Sequence, residues 1–192
     1  MNWLEPVTLE GTLVRLEPLT LDHAALMFAH FEARAMTYLP RGQEIVTLED
    51  FTAYIRSAVE DSSRIYWAVR ILKPSRSTGQ IAGFVLFAGA KPHDGWIAFG
   101  TLLMPAFWGS GANTEAKLLL MSRAFEVLGA SRVQFTVETG NVRSMVALEK
   151  FAVREAVLRR LIAGKDIAIY SVISDEWLDV KRRLEKKLGG KS

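Results

Sequence analysis

Alternating and helical patterns of apolar residues divide the chain into short predicted strands and helices. Residues 13–17 (LVRLE) alternate apolar and polar positions and predict a strand. Thr20 or Asp22 can cap a helix that runs to about Ala35, with its apolar positions at 25, 26, 28, 29 and 31, and Thr47 with Asp50 forms a capping box for a second helix to about Glu60. Further strands are predicted at 65–72, 80–87, 96–104, 132–137, 153–161 and 167–173, and further helices at 113–128, 141–151 and 175–188.

The order of these elements predicts a mixed sheet. Strands that follow one another as hairpins precede a single β-α-β unit, which argues against an all-parallel arrangement. Neither a repeat nor a low-complexity tract interrupts the pattern, and 192 residues suffice for one domain with a sizeable core. We therefore expect an α+β protein with a single domain over residues 1–192, whose last helix covers 175–188.

The segment 95–126 carries the most chemical information. An apolar strand from Trp96 to Met104 is followed by Pro105, which cannot donate to a ladder, and then by a turn with Gly109 and Gly111 ahead of an amphipathic helix. Backbone amides at such a helix start attract anions, so we expect a phosphate at 109–113. A dinucleotide fingerprint would need glycine at Thr114, and the P-loop and nucleophile-elbow spacings are absent. A tight turn without a ligand is the alternative.

Composition narrows the functional classes only slightly. The chain is 49% hydrophobic and 23% charged, has no apolar run of membrane-spanning length, and shows no signal-peptide pattern, so we expect no membrane association. It has no cysteine, which excludes disulfides and a cysteine nucleophile and fits a cytoplasmic protein. A net charge of +3 suits an anionic small ligand better than nucleic acid. His23 and His30 lack a third ligand, so we expect surface histidines and no metal.

Four segments carry a family resemblance. These are residues 14–24, 99–129, 132–150 and 170–177, in the family's order and at close to its spacing. The chain resembles the GNAT superfamily of acyl-CoA-dependent N-acetyltransferases, in particular the branch with the ribosomal-protein N-terminal acetyltransferases. The resemblance implies a three-layer α/β/α fold, in which a mixed, mostly antiparallel sheet splays between its central strands and helices flank both faces.

The resemblance also implies a binding site for acetyl-CoA. The diphosphate would lie on the turn formed by Trp108, Gly109, Ser110, Gly111, Ala112 and Asn113, and the pantetheine arm would bond to the backbone of Leu102, Leu103 and Met104. Asn141 would bind the same arm, or simply cap its helix. Ser144 would lie near the sulfur and protonate the departing thiolate, unless its hydroxyl only bonds backbone. Lys150 and Arg143 could reach a phosphate, or simply form a solvated helix face.

The chain departs from the family pattern in several places, which leave the CoA site intact and put the base and the acceptor pocket in question. Ala106 replaces a usual Gln or Arg, the strand at 97–100 lacks the acid that many relatives use, and the segments at 151–153 and 155–156 are altered. Glu138 and Glu155 are candidate bases, although a strand-end carboxylate more commonly faces solvent. Tyr38, Leu39 and Pro40 lie in the loop that borders the acceptor pocket in relatives, and are alternatively an ordinary loop.

We expect an enzyme that moves acetyl from acetyl-CoA directly to a primary amine, since no cysteine can form an acyl-enzyme. The acceptor is a protein N-terminus or a small amine, and a homodimer is compatible with this. The alternative is a non-catalytic acyl-CoA-binding module of the same fold. A third class, an RNA- or ribosome-associated protein using the basic tail KRRLEKKLGGKS, has no aromatic-basic motif to support it.

Overall fold

The computed structural model describes residues 2–38, 44–73 and 77–190. Its strands are β1 (Leu9–Glu10), β2 (Val14–Pro18), β3 (Arg64–Ile71), β4 (Ile81–Lys91), β5 (Trp96–Leu103), β6 (Arg132–Glu138), β7 (Val153–Ile162) and β8 (Lys165–Ile173). Its helices are α1 (His23–Phe28), α2 (Leu48–Val59), α3 (Ala112–Ser122), α4 (Val142–Leu148) and α5 (Ser174–Gly189). Every strand and helix predicted from the sequence is present, with the short β1 in addition.

The eight strands form one sheet in the order β1-β2-β3-β4-β5-β6-β8-β7. Only β5 and β6 pair in parallel, because α3 carries the chain back over the sheet between them, and every other neighbouring pair is antiparallel. The prediction of a mixed, mostly antiparallel sheet is confirmed. Strands from both halves of the chain belong to this sheet.

Helices cover the middle of the sheet. Five consecutive residues of β3, 65–69, are buried, so both faces of this strand are shielded. The pair α1 and α2 packs against β4 and β3, and the pair α3 and α5 packs against β1–β3 and β8. Trp67, Phe84 and Phe87 are among the largest fully buried side chains. The central strands are thus held rigidly, which positions the ends of β5 and β6.

The first helix is shorter than predicted. It ends at Phe28, because the amides of His30 and Phe31 bond to carbonyls three residues back and close a tighter turn. A single 3-10 turn follows at Ala33–Ala35. The Phe28 and Phe31 rings stack 5.4 Å apart, and both contact Phe51 of α2. The predicted apolar face was also wrong at Ala25, Leu26 and Ala29, which are exposed. The helix buries His23, Ala24 and Met27 instead.

The helix caps predicted for α1 and α2 have different outcomes. The capping box of α2 is confirmed, since the Asp50 amide donates to the Thr47 hydroxyl and the Thr47 amide donates to the Asp50 carboxylate. The cap predicted for α1 is wrong, because neither Thr20 nor Asp22 caps it with a side chain. In the described part of the chain, no helix is both long enough and apolar enough to cross a bilayer.

Candidate functional site

The two parallel strands separate over half of their length. β5 and β6 pair only from Trp96 with Arg132 to Phe99 with Phe135. Beyond that point residues 100–103 pair with β4 alone and residues 136–138 with β8 alone. The space between these two stretches is called the gap below. Backbone polar groups along its edges have no ladder partner across it, and such groups need another partner when buried.

The backbone groups on the β5 edge of the gap come from Thr101 and Leu103. In an antiparallel strand, the amide and the carbonyl of one residue point to the same side of the strand. Those of the next residue point to the opposite side. Because the Met104 amide bonds to the Ala82 carbonyl at 2.8 Å, Met104 and Leu102 turn their polar groups toward β4. Of the three residues predicted to contact the arm, Leu103 therefore turns its backbone polar groups toward the gap, as does Thr101, which the sequence analysis did not name.

A glycine turn at residues 108–113 connects β5 to α3. Gly109 and Gly111 have φ of +78° and +98°, in the left-handed region that other residues adopt at a cost. A Cβ at Gly109 would meet nothing within 4 Å, so the conformation and not the space calls for glycine there. No side chain caps α3 at Gly111. The positive end of the helix dipole therefore faces the turn without a side-chain cap at Gly111, and such an end attracts an anion.

Asn113 carries a polar atom at the turn that lacks a hydrogen-bond partner in the described part of the chain. Its Oδ1 atom is buried, and among the described residues it has no hydrogen-bond partner; the same holds for Thr101 Oγ1 beside the gap. Ser110 is different, because its hydroxyl donates to the Phe107 carbonyl at 2.7 Å and accepts from the Ala112 amide at 3.2 Å. The Ser110 side chain thus stabilises the turn. Its predicted contact with the diphosphate would be made by its backbone.

Glu115 anchors the start of α3, and the sequence reading did not single it out. Its buried carboxylate accepts from the amides of Thr12 (2.9 Å), Leu13 (2.6 Å) and Val14 (2.7 Å). A Cβ at Gly11 would lie 2.6 Å from this carboxylate, so glycine is needed there. The sequence could have revealed this contact only through a pattern that links Glu115 to residues 12–14, about a hundred positions earlier.

The opposite side of the gap is formed by the end of β6 and by α4. The Asn141 side chain accepts from the Ser144 amide at 3.2 Å, which confirms the predicted cap. Ser144 is half-buried on the first turn, whereas Lys150 is exposed after the last one. The structure therefore places Asn141 and Ser144 at the end of the strand that borders the gap, and Lys150 farther away.

Trp108 and Arg143 connect the two sides. The Trp108 indole donates to the Leu103 carbonyl at 2.8 Å, and the Arg143 guanidinium carbon lies 3.2 Å from the centre of the indole ring. The Arg34 guanidinium lies 5.3 Å from the same ring and also bonds to Glu32. Burial, and next the charge of Arg34, lower the pKa of Arg143. This contact joins the segments that follow the two separated strands and makes the mouth of the gap positive.

Tyr38 and Glu138 come together at Gly140. The Tyr38 hydroxyl donates to the Gly140 carbonyl at 2.9 Å. A Cβ at Gly140 would lie 3.5 Å from both Glu138 Oε1 and the Tyr38 ring. Glu138 also lies 3.6 Å from the Lys165 ammonium. Leu39 and Pro40, the other two predicted acceptor residues, lie outside the described residues.

Glu155, the second candidate base, is paired with Arg132 and Ser171, which disfavours that role. Arg132 binds both of its carboxylate oxygens, at 2.7 and 2.5 Å, and the Ser171 hydroxyl donates to it at 2.6 Å. The hydrogen bond from Arg132, and next that from Ser171, lower the pKa of Glu155 to about 2. A carboxylate this acidic holds a proton too weakly to accept one from an amine near neutral pH. Its role is to join β6, β7 and β8.

Two other expectations need correction or comment. His23 is buried rather than on the surface, with Nε2 2.9 Å from Glu17 and Nδ1 3.0 Å from the Thr20 amide. His30 is half-buried, edge-on to Phe107. Within the described ranges no three His, Asp or Glu side chains form a group that could hold a metal.

Cavities of about 470 Å³ beside α2 and about 250 Å³ beside Phe151 lie away from the gap.

A family model identifies the chain. Residues 14–154 match the acetyltransferase (GNAT) domain, which is most of the 192 residues. A search of curated proteins finds no match.

Solved structures agree with this match. A presumed acetyltransferase from T. thermophilus is 39% identical with a TM-score of 0.89, over 97% of this chain and 100% of that one. A GCN5-related N-acetyltransferase from Brucella melitensis is 28% identical with a TM-score of 0.86, over 95% and 85% of the two chains. RimL, a ribosomal L7/L12 α-N-protein acetyltransferase, shares the fold alone, with 14% identity and a TM-score of 0.71 over 88% and 94%.

Proposed function

This chain belongs to the GNAT acetyltransferase family, and from that premise we propose that it transfers acetyl from acetyl-CoA to a primary amine. The acceptor is a protein N-terminal α-amine or a small amine. The gap beside an uncapped helix start carries this proposal, because it offers separate places for a flexible amide-containing arm and for a phosphate. The buried, unpartnered Asn113 Oδ1 beside the turn supports a polar ligand there.

We propose that the glycine turn binds the diphosphate of CoA through its backbone amides. The arm would then extend along the gap as an added strand does, with its amides bonded to the backbone of Thr101 and Leu103. Asn141 would bind the arm from the α4 side while it continues to cap the helix. Arg143 would exchange its contact with the Trp108 ring for a phosphate oxygen, and Lys150 would interact only at the periphery.

The chemistry of the proposed reaction is a direct acyl transfer. The amine nitrogen bonds to the carbonyl carbon as the carbon–sulfur bond breaks, the amine loses a proton, and the thiolate gains one. Glu138 accepts the amine proton through water, and Ser144 passes a proton to sulfur and regains one from solvent. A backbone amide on the separated part of β5, near Leu102, stabilises the carbonyl oxygen as it gains charge. An α-amine with a pKa near 8 needs less help from a base than a lysine does.

The acceptor would enter past Tyr38, where the tyrosine and Glu138 meet at Gly140. RimL, whose name assigns it a protein α-amine, shares this fold, and peptides with a free N-terminus are therefore the first acceptors to try. We propose that residues 1–192 act as one acetyltransferase domain. A cytoplasmic location and a homodimer remain predictions.

Release of free thiol from acetyl-CoA tests the proposed function. We expect release with at least one member of a panel of peptides and small amines, and no release with peptides whose N-terminus is already acetylated. Isothermal titration with CoA alone gives the binding constant. Binding without thiol release for any amine would instead identify the non-catalytic acyl-CoA-binding module, and no binding at millimolar CoA would exclude both.

A further inference from the structure

Lys117, in the middle of α3, is a buried lysine that none of the steps above uses. It is only 6% exposed, and its ammonium lies over the Phe151 ring, 5.3 Å from the ring centre. Within the described ranges it forms no ion pair with a carboxylate. Burial is the main cause that lowers the pKa of Lys117 to about 8. A cation buried against an aromatic ring adds little net stability, because its desolvation offsets the attraction.

Phe151 is fixed to the last turn of α4 and to the sheet. Its amide donates to the Leu148 carbonyl at 2.9 Å, and its ring meets the Phe135 ring of β6 edge to face at 5.8 Å. Phe135 lies opposite Phe99 in the last pair of β5 and β6 before the gap, with the two rings 5.4 Å apart. The row of rings therefore leads from the point where the strands separate to Lys117.

The orientation of α4 depends on its C-terminal end. Of its seven residues only Leu148 is buried, and Glu149 just beyond it accepts a hydrogen bond from the Tyr170 hydroxyl at 3.0 Å. At the other end, Arg143 contacts the Trp108 ring, and this is the contact that CoA would replace in the proposed function. Once that contact is replaced, the C-terminal end would determine more of the helix orientation.

We infer that Lys117 is a positioning residue for Ser144, and that it acts through the Phe151 ring. This inference rests on the proposed function, in which Ser144 passes a proton to sulfur from the first turn of α4. The ammonium attracts the face of the ring and so fixes the direction of the ring. With the ring fixed, the last turn of α4 is fixed, and the first turn follows because the helix is short and continuous. Lys117 belongs to α3, but it acts on the α4 side of the gap.

Lys117→Met tests this role, because methionine fills a similar volume without the charge. We expect kcat for thiol release to fall about tenfold, since a small displacement of a catalytic group lowers the rate strongly. The Kd for CoA should change less than about twofold, and urea unfolding should show equal or greater stability, because a buried charge is removed. Lys117→Arg keeps a cation over the ring and should restore most of the rate. Lys186→Met removes an exposed lysine of α5 and is the matched control.

A double-mutant cycle shows whether the lysine acts through the ring. Phe151→Leu should also lower kcat about tenfold. The variant with both changes should be slower than either single variant by no more than about twofold, because the two residues act as one unit. Losses that add up in full would overturn the route through Phe151.

Other outcomes also overturn the inference. These are an unchanged kcat for Lys117→Met or Phe151→Leu, a CoA affinity that falls as much as kcat does, and a rate loss that Lys117→Arg does not restore. A Lys117→Met protein that fails to fold would show that the lysine serves stability, and would overturn the inference too. The proposed function fails separately, if the wild-type protein releases no thiol with any acceptor.

Discussion

The two sides of the gap are constructed differently. On the α3 side, Glu115 buries its carboxylate against three backbone amides, and most residues of the helix are buried. On the α4 side, a helix of seven residues buries only Leu148, while Val142 and Val146 are 64% and 48% exposed. One side is fixed by buried polar contacts, whereas the other presents half-buried side chains on a short element.

This difference predicts a separate role for each side of the gap. A backbone turn that binds an invariant part of a ligand must not move, and its conformation is independent of most side chains. Side chains that meet a variable amine can change without disturbing the core. We expect changes on the α3 side to alter stability and CoA affinity together, and changes on the α4 side to alter turnover alone.

The largest effect should come from Glu115→Ala. Three backbone amides, of which that of Val14 is buried, would lose a charged acceptor, so the free energy of unfolding should fall by about 3 kcal/mol. Urea unfolding measures this, with the exposed Glu185→Ala as the control. Glu115→Gln, which keeps one oxygen acceptor, should lose less. A loss below about 1 kcal/mol for Glu115→Ala would contradict the view that buried contacts fix this side.

Ser144→Ala should reduce turnover by about a hundredfold, the usual contribution of a general acid. The Kd for CoA should change less than about twofold, because Asn141 caps the helix through the Ser144 amide, which the variant keeps. Steady-state thiol release and titration separate the two, and Val146→Ala on the same helix is the matched control. An unchanged rate would remove Ser144 from the chemistry.

Local patterns in the sequence were sufficient to predict most of the fold. Alternation gave the strands, and the Thr47–Asp50 box and Asn141 marked helix starts that the structure confirms. The glycine turn was predictable because its conformation depends on residue types that lie next to one another. The first helix was mispredicted because contacts between Phe28, Phe31 and Phe51 determine where it ends.

Contacts between distant parts of the chain explain what the sequence could not predict. Glu115 bonds to amides a hundred positions away, and Glu155 is removed from the list of bases by Arg132 and Ser171. Lys117 is an ordinary helix residue in the sequence, and only the fold buries it and places its ammonium 5.3 Å from the centre of the Phe151 ring. These roles depend on tertiary packing, for which one sequence carries no local signal.

Gly111→Ala should cost about 1–2 kcal/mol of stability, since alanine is strained in the left-handed region. Its Cβ would also approach Leu13 Cδ1 to 3.1 Å, whereas Gly109→Ala meets open space. Both variants should weaken CoA binding several-fold, and Gly111→Ala should lose more stability in thermal unfolding. Equal stability losses would show that packing against Leu13 contributes nothing.

Glu155→Gln should have the smallest effect on stability and activity. It tests the α4 side of the gap from β7, the strand that follows α4. Its folded-state pKa of about 2 lies below the ordinary 4.5, so the ionised form stabilises the fold above about pH 5, and this contribution is lost as pH falls toward 2. The pair is partly exposed, so solvent screening should keep the contribution under about 1 kcal/mol. Urea unfolding from pH 6 to 3 should therefore show a slightly flatter pH dependence for the variant.

Thiol release between pH 6 and 9 should match the wild type, because Arg132 and Ser171 already occupy this carboxylate. A tenfold slower variant of unchanged stability would return Glu155 to the list of bases and place catalytic chemistry at the β6–β7–β8 junction instead of at α4.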